Sequence, residues 1–437
     1  MKRYMTNCVR NLAFALLAVS PLLTMAQQPK IQGLRPYDQT GINVFEPKKD
    51  SDVKFDGVKV RFGAGFTQQA QSLKHSSTST TALYPRLAPG FGIAQANLYM
   101  DVQLADGITM NVTTYLSARH HNESWVKGGY IQMQKLPLKG EFFDKLMKNL
   151  TVKVGHYEVN YGDAHFRRSD GGHTLYNPFI ENYILDEFAT EVAAEVYYQK
   201  NEITVMGGLS NGLINGGYQT PVSGTTEYKR GPSVYGKVAY DKQVSEKVRV
   251  RGAASLYHNN KDGRSTLFQG DRTGSNYFFV LEPSTATAAA NPYSGRISNL
   301  SFSQQVTAAQ FNLFAKAGGF ELFGTYEAAK GRTIAEKLAN SPKREISQFA
   351  VDGVYRIGKK EELFLGVRYN TLNGQMLTSS TTKQTVDRVA FAAGWFVAKN
   401  LLLKGEYVSQ KYSGFPTANV FNGGKFNGVV LEAVVGF

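Results

Sequence analysis

From residue 58 onward the chain repeats one pattern: segments of alternating apolar and polar residues, separated by residues that favour turns. Period-two alternation marks a strand with one greasy and one polar face, because successive side chains of an extended chain point to opposite sides. The clearest segment is 92–104, where Ala94, Ala96, Leu98, Met100, Val102 and Leu104 alternate with Gln95, Asn97, Tyr99, Asp101 and Gln103. The last, 425–437, puts Val429, Leu431, Ala433, Val435 and Phe437 on one face. Sixteen strands are predicted: 58–66, 92–104, 108–121, 128–138, 150–159, 190–200, 202–211, 232–240, 247–258, 304–317, 320–330, 345–357, 362–371, 384–397, 401–411 and 425–437. Residues 276–282 stay in a loop, since a seventeenth strand would demand an eighteenth. Residues 141–150 have helical spacing and predict a short helix.

The connections alternate in length. Segments such as 105–107, 241–246 and 358–361 are short, whereas 67–91, 160–189, 212–231 and 259–303 are long. The pattern predicts an all-β fold: a transmembrane antiparallel barrel of about 16 strands, with short periplasmic turns and long extracellular loops. On the outward parity, Tyr198, Tyr240, Phe320, Tyr355, Trp395 and Phe437 lie near the short turns, where an aromatic girdle belongs. The terminal strand resembles that of bacterial outer-membrane barrels, in which a final aromatic is the assembly signal; the resemblance assigns that role to Phe437.

Residues 1–26 read as a signal peptide, with basic Lys2, Arg3 and Arg10, an apolar run, and small residues up to Ala26. Residues 27–57 are polar and proline-punctuated and are expected to form an extended or flexible periplasmic lead-in, ahead of the barrel at 58–437. The sole cysteine, Cys8, lies in the signal. The signal carries three of the fourteen excess positive charges, which leaves a basic exported chain that favours anionic partners. Export argues against nucleic acid.

Motifs for a nucleophilic serine, a zinc protease, a P-loop or a redox dithiol are missing, so an enzyme is not expected, nor a cofactor or a metal. The loop 160–189 combines Arg167 and Arg168 with Asp163 and Asp170 and an apolar stretch at 176–185. An exposed loop has no use for that stretch; a loop folded into the lumen does. Here the chain resembles sixteen-stranded porins, and within them the phosphate-selective O/P-type superfamily, over about 58–437. That resemblance implies a constriction loop, with Arg167 and Arg168 as eyelet candidates; a homotrimer is likewise implied only by it. Asp163 and Asp170 are the acidic candidates beside them.

The inward parity collects Lys59, Arg61, Arg119, Lys153, Lys237, Arg249, Arg251, Lys316, Arg356, Arg368, Arg388 and Lys404, against Asp101, Glu191, Glu195, Glu321, Asp352 and Glu406. Twelve cations against six carboxylates predict a weakly anion-selective, water-filled porin for small hydrophilic solutes, phosphate-like ions among them. The alternative is a non-conducting barrel that serves secretion or surface attachment as a structural or complex-forming partner. Expected partners are outer-membrane lipid and lipopolysaccharide, the barrel-assembly machinery, and small anionic or neutral solutes. The expected location is the bacterial outer membrane.

Overall fold

A sheet with Val, Leu, Phe and Tyr on one face and amides and charges on the other needs lipid over the first and polar partners for the second. The computed structural model closes that sheet on itself. It describes residues 28–49, 53–84, 87–92, 94–116, 124–138, 140–170, 173–212, 222–223, 226–227, 230–261, 265, 267–268, 278–286, 297, 300–378 and 380–437. Sixteen antiparallel strands form the barrel: β1 (Lys59–Ser76), β2 (Gln95–Ala105), β3 (Ile108–Leu116), β4 (Ser124–Met133), β5 (Leu150–Glu158), β6 (Thr190–Lys200), β7 (Ile203–Ser210), β8 (Ser233–Ser245), β9 (Val248–Asn259), β10 (Gln305–Ala317), β11 (Phe320–Arg332), β12 (Arg344–Ile357), β13 (Leu363–Gly374), β14 (Gln384–Ala398), β15 (Leu401–Ser413) and β16 (Lys425–Gly436). β16 returns to β1 in continuous register from Gly65↔Gly436 to Ser76↔Lys425. Phe437 completes the seam: its N–H donates to the Ala64 carbonyl, and its carbonyl accepts from the Ala64 N–H, both at 3.0 Å. Closure removes the sheet edges that lipid would leave unsatisfied.

Strand number and parity match the sequence pattern. β1 differs, running to Ser76 rather than 66. Its added part is largely polar and so does not alternate, yet it stays paired to β16 throughout. Residues 278–282 form no strand, and the predicted helix is α1 (Glu141–Met147). The signal at 1–26, and residues 117–121 of the third predicted strand, lie outside the described residues.

The outer face carries the expected girdle. Tyr198, Tyr240, Phe320, Tyr355, Trp395 and Phe437 are each at least 40% exposed. Phe320 sits opposite Tyr355, and six residues up the same strands Tyr326 sits opposite Phe349. That second aromatic row lies about 20 Å along the strand from the first. Leu313, Leu322 and Val367 are exposed on the same outward face. Such a closed barrel with an outward apolar band belongs in the bacterial outer membrane.

The lumen is filled rather than open. Residues 28–49 form an inner layer within the barrel at the short-turn end, where an extended or flexible periplasmic lead-in was expected of 27–57. Gln32 N–H donates to Gln103 at 2.9 Å, the Gln32 side-chain oxygen accepts from Gly107 N–H at 2.7 Å, and Gln39 N–H donates to the Lys399 carbonyl at 2.8 Å. Ile31, Tyr37 and Phe45 anchor this layer by burial. Above it, the segment 160–189 crosses the lumen as a plug. Phe179 seats where Gly366 leaves room: a Cβ there would meet the ring at 3.2 Å. Wall side chains satisfy the irregular backbone of the plug, with Glu406, Asn370 and Gln348 accepting from the N–H groups of Ile180, Ile184 and Leu185 at 2.7–2.8 Å. Irregular backbone at membrane depth is tolerated where protein buries it in this way. Towards the long-loop end, described residues of 259–303 cover the plug: Phe188 N–H donates to the Leu267 carbonyl, and Ile297 N–H to the Ile184 carbonyl.

Candidate functional site

Two kinds of surface line the lumen. On the β8–β16 side, inward cations meet carboxylates, and many of those carboxylates come from segments outside the strands. Asp163 receives two hydrogen bonds from the Arg251 guanidinium, at 2.7 and 2.8 Å, and stands 3.0 Å from Lys237. Glu46 bridges the same two cations, at 2.7 Å from Arg251 and 3.2 Å from Lys237. Burial opposes charge on both acids, but Lys237 and Arg251 hold the Asp163 carboxyl below its ordinary value and the Glu46 carboxyl well below it. Arg249 pairs with Asp241 at 2.6 Å, Lys316 with Glu361 at 2.7 Å, Arg356 with Glu321 at 2.6 Å and Arg368 with Asp352 at 2.7 Å. Lys404 pairs with Glu432 at 2.6 Å, and Arg388 with Glu181. Apart from Arg249 and Lys316, these cations are buried. The inward excess of cations is thus largely met by Glu46, Asp163, Glu181 and Glu361, from segments outside the strands, by Asp241, in the stretch of β8 that was expected to be a turn, and by Glu432 of β16.

The four constriction candidates sit in buried contacts. Arg168 holds Asp186 with two bonds of 2.8 Å and lies over the Phe188 ring at 4.0 Å. Arg167 donates to Asn43, stands 3.7 Å from Glu321 and lies over Phe323 at 5.0 Å. Asp170 accepts from Lys127 at 2.9 Å and from Asn97 at 3.2 Å. Lys59, near the short turns, pairs with Asp56 at 2.6 Å. Arg119 lies outside the described residues.

The β2–β6 side is different. Between this wall, residues 33–47 and the plug lies a cavity of about 270 Å³. Its lining runs from Gln134 and Gln199, near the short turns, to Lys127 and Thr190, nearer the long loops. Arg35 and Lys153 reach into it, and among the described residues neither makes an ion pair. Arg35 donates to the carbonyls of Gly41 and Phe166 and lies over Tyr176 at 3.7 Å. Lys153 sits between Tyr157, at 3.8 Å, and Tyr130, at 4.4 Å. Arg61, nearby, lies over Tyr37 at 4.8 Å. A ring stack continues through Tyr37, Tyr99, His173 and Tyr176, with centroids 4.4, 5.2 and 5.3 Å apart. Burial pushes the His173 imidazole down to about 4, with Arg35 and Lys127 adding to the effect and Asp170 opposing it. The sequence reading found Lys153 and Arg61 by parity. It missed Arg35, because residues 28–49 have no strand period to assign a face.

The porin-type fold is shared with known structures. An anion-selective porin from Comamonas acidovorans matches at a TM-score of 0.52 and 10% identity, over 87% of this chain and 100% of that one. The outer-membrane channel DcaP of Acinetobacter baumannii matches at 0.50 and 10%, over 88% and 99%. No family model and no curated protein matches the chain. At such identities the likeness is one of fold.

Proposed function

We propose that the chain is an outer-membrane channel for passive diffusion of small hydrophilic solutes, with its passage along the β2–β6 wall and a weak preference for anions, phosphate-like ions among them. The cavity carries this reading. It follows the strands for most of their length, is lined by polar and aromatic groups, and holds the cations Arg35 and Lys153 without carboxylate partners. The Lys127–Asp170 pair stands at its loop-side end, where a gate would act. Elsewhere the plug is bonded to the wall.

A second reading, a non-conducting barrel that acts as a complex-forming partner, is favoured by the filled lumen. Planar-bilayer recording of the folded, exported chain separates the two. The channel reading expects small open-channel steps and a reversal potential biased towards anions in a KCl gradient, fading as salt rises. Folded protein without current supports the partner reading. A homotrimer is an expectation that native mass measurement in detergent checks.

A further inference from the structure

We propose that the cavity is a binding site for a hydroxylated organic acid the size of one sugar ring, such as a uronate, rather than only a widening of the route. This rests on the reading of the cavity as the passage. Three features point to that ligand class.

The first is charge. Arg35 and Lys153 lie against aromatic faces with no carboxylate at ion-pair distance among the described residues, although Glu158 acts on both from farther off and Glu195 on Lys153, so the space between them favours an anionic group. The second is a set of lining polar atoms with no hydrogen-bond partner among the described residues: Thr151 Oγ1, His156 Nε2, Glu158 Oε1 and His173 Nδ1. Thr151 is only 6% exposed, and a buried polar atom left unpaired is costly. Glu158 Oε1, 3.7 Å from His165 Nδ1, accepts no hydrogen bond among the described residues and so suits a hydroxyl on the ligand. A bare oxyanion without a donor is repelled there. The third is shape. Tyr37, Tyr99, His173 and Tyr176, stacked on one another, and the edge-to-face pair Tyr130 and Tyr157 line the cavity, giving the apolar side of a small ring aromatic groups to pack against. A cavity of about 270 Å³ has room for a single sugar ring.

Titration calorimetry of the folded full barrel in detergent tests this with D-glucuronate, D-glucose and inorganic phosphate. Glucuronate is expected to bind saturably and at least tenfold more tightly than glucose or phosphate. Lys153→Gln should weaken it about tenfold or more, and Thr151→Val, a smaller change that keeps the side-chain shape, several-fold. Equal binding of phosphate, equal binding of glucose, or no loss in either variant would overturn the site. Bilayer recording on the same preparation separates the two ideas. Current without glucuronate binding overturns the site and leaves the passage; binding without current overturns the passage and leaves the site.

Discussion

The β8–β16 and β2–β6 halves of the lumen solve the same problem in different ways. Both present polar side chains inward against irregular chain. In the first half, Asp163, Glu46, Glu181 and Glu406 from plug, inner layer and wall meet cations or backbone N–H groups at hydrogen-bond distance. In the second, Lys153 and Arg35 rest on ring faces, and Thr151, His156 and Glu158 keep polar atoms without hydrogen-bond partners among the described residues. The ladders differ too. Thirteen register positions join β10 to β11, whereas five join β4 to β5, where Gly128, Gly129 and Gly155 cluster. Removing one partner of a buried ion pair leaves an uncompensated buried charge, so the paired half resists any change that separates its partners. The half whose wall keeps a cavity is the half that can admit a solute.

Removing residues 28–49 should affect this contrast most, because the segment supplies both Glu46 on the paired side and Arg35 on the cavity side. Single-channel conductance should rise several-fold; an unchanged step would mean that the inner layer does not limit the passage.

Next in size is the cost of breaking the paired side. Asp163→Asn leaves Arg251 and Lys237 with Glu46 as their remaining close buried acid, and removing one member of a buried pair typically costs about 3–5 kcal/mol. Thr113→Val, on the cavity wall, should cost under about 1 kcal/mol. The temperature at which the folded band converts to the unfolded one on a gel measures both. Equal shifts would erase the distinction between the halves.

Acidification should also reach the cavity side first. His173 resists protonation until about pH 4 in the fold, whereas a free imidazole charges near 6.5. Its contribution is therefore complete above 6.5 and is lost as pH falls from 6.5 towards 4. Asp163 and Glu46 are shifted down as carboxylates; their contribution is complete above the ordinary carboxylate range and is lost only as pH falls through their lower folded values. Protease sensitivity of the plug near His173 should grow between pH 6.5 and 4, and His173→Phe should remove that growth.

What the sequence made legible follows from periodicity. The sixteen strands, the outward Tyr355 and Trp395, and the inward Lys237, Arg251 and Arg368 all come from a period of two that membrane and lumen enforce. Where no period operates, faces could not be read. Residues 28–49 are polar and rich in turn formers, so nothing in them marked Asn43 and Glu46 as wall contacts. Charge counting along the strands saw Arg388 but not Glu181, which reaches it from a distant part of the chain. The length of β1 was hidden because its upper part pairs through its backbone while its side chains are polar on both faces.

The central claim is that solutes pass along the β2–β6 wall and not along the β8–β16 wall. The only cysteine is Cys8, in the predicted signal, so single cysteines in the exported chain give clean probes. The direct measurement is current through single channels with cysteine at Thr113, which lines the cavity, or at Thr325, buried on the β11 wall beside Asn312, before and after a small water-soluble thiol reagent. The account predicts a lasting fall in current for Thr113→Cys and none for Thr325→Cys. Block at Thr325 with none at Thr113 would contradict it.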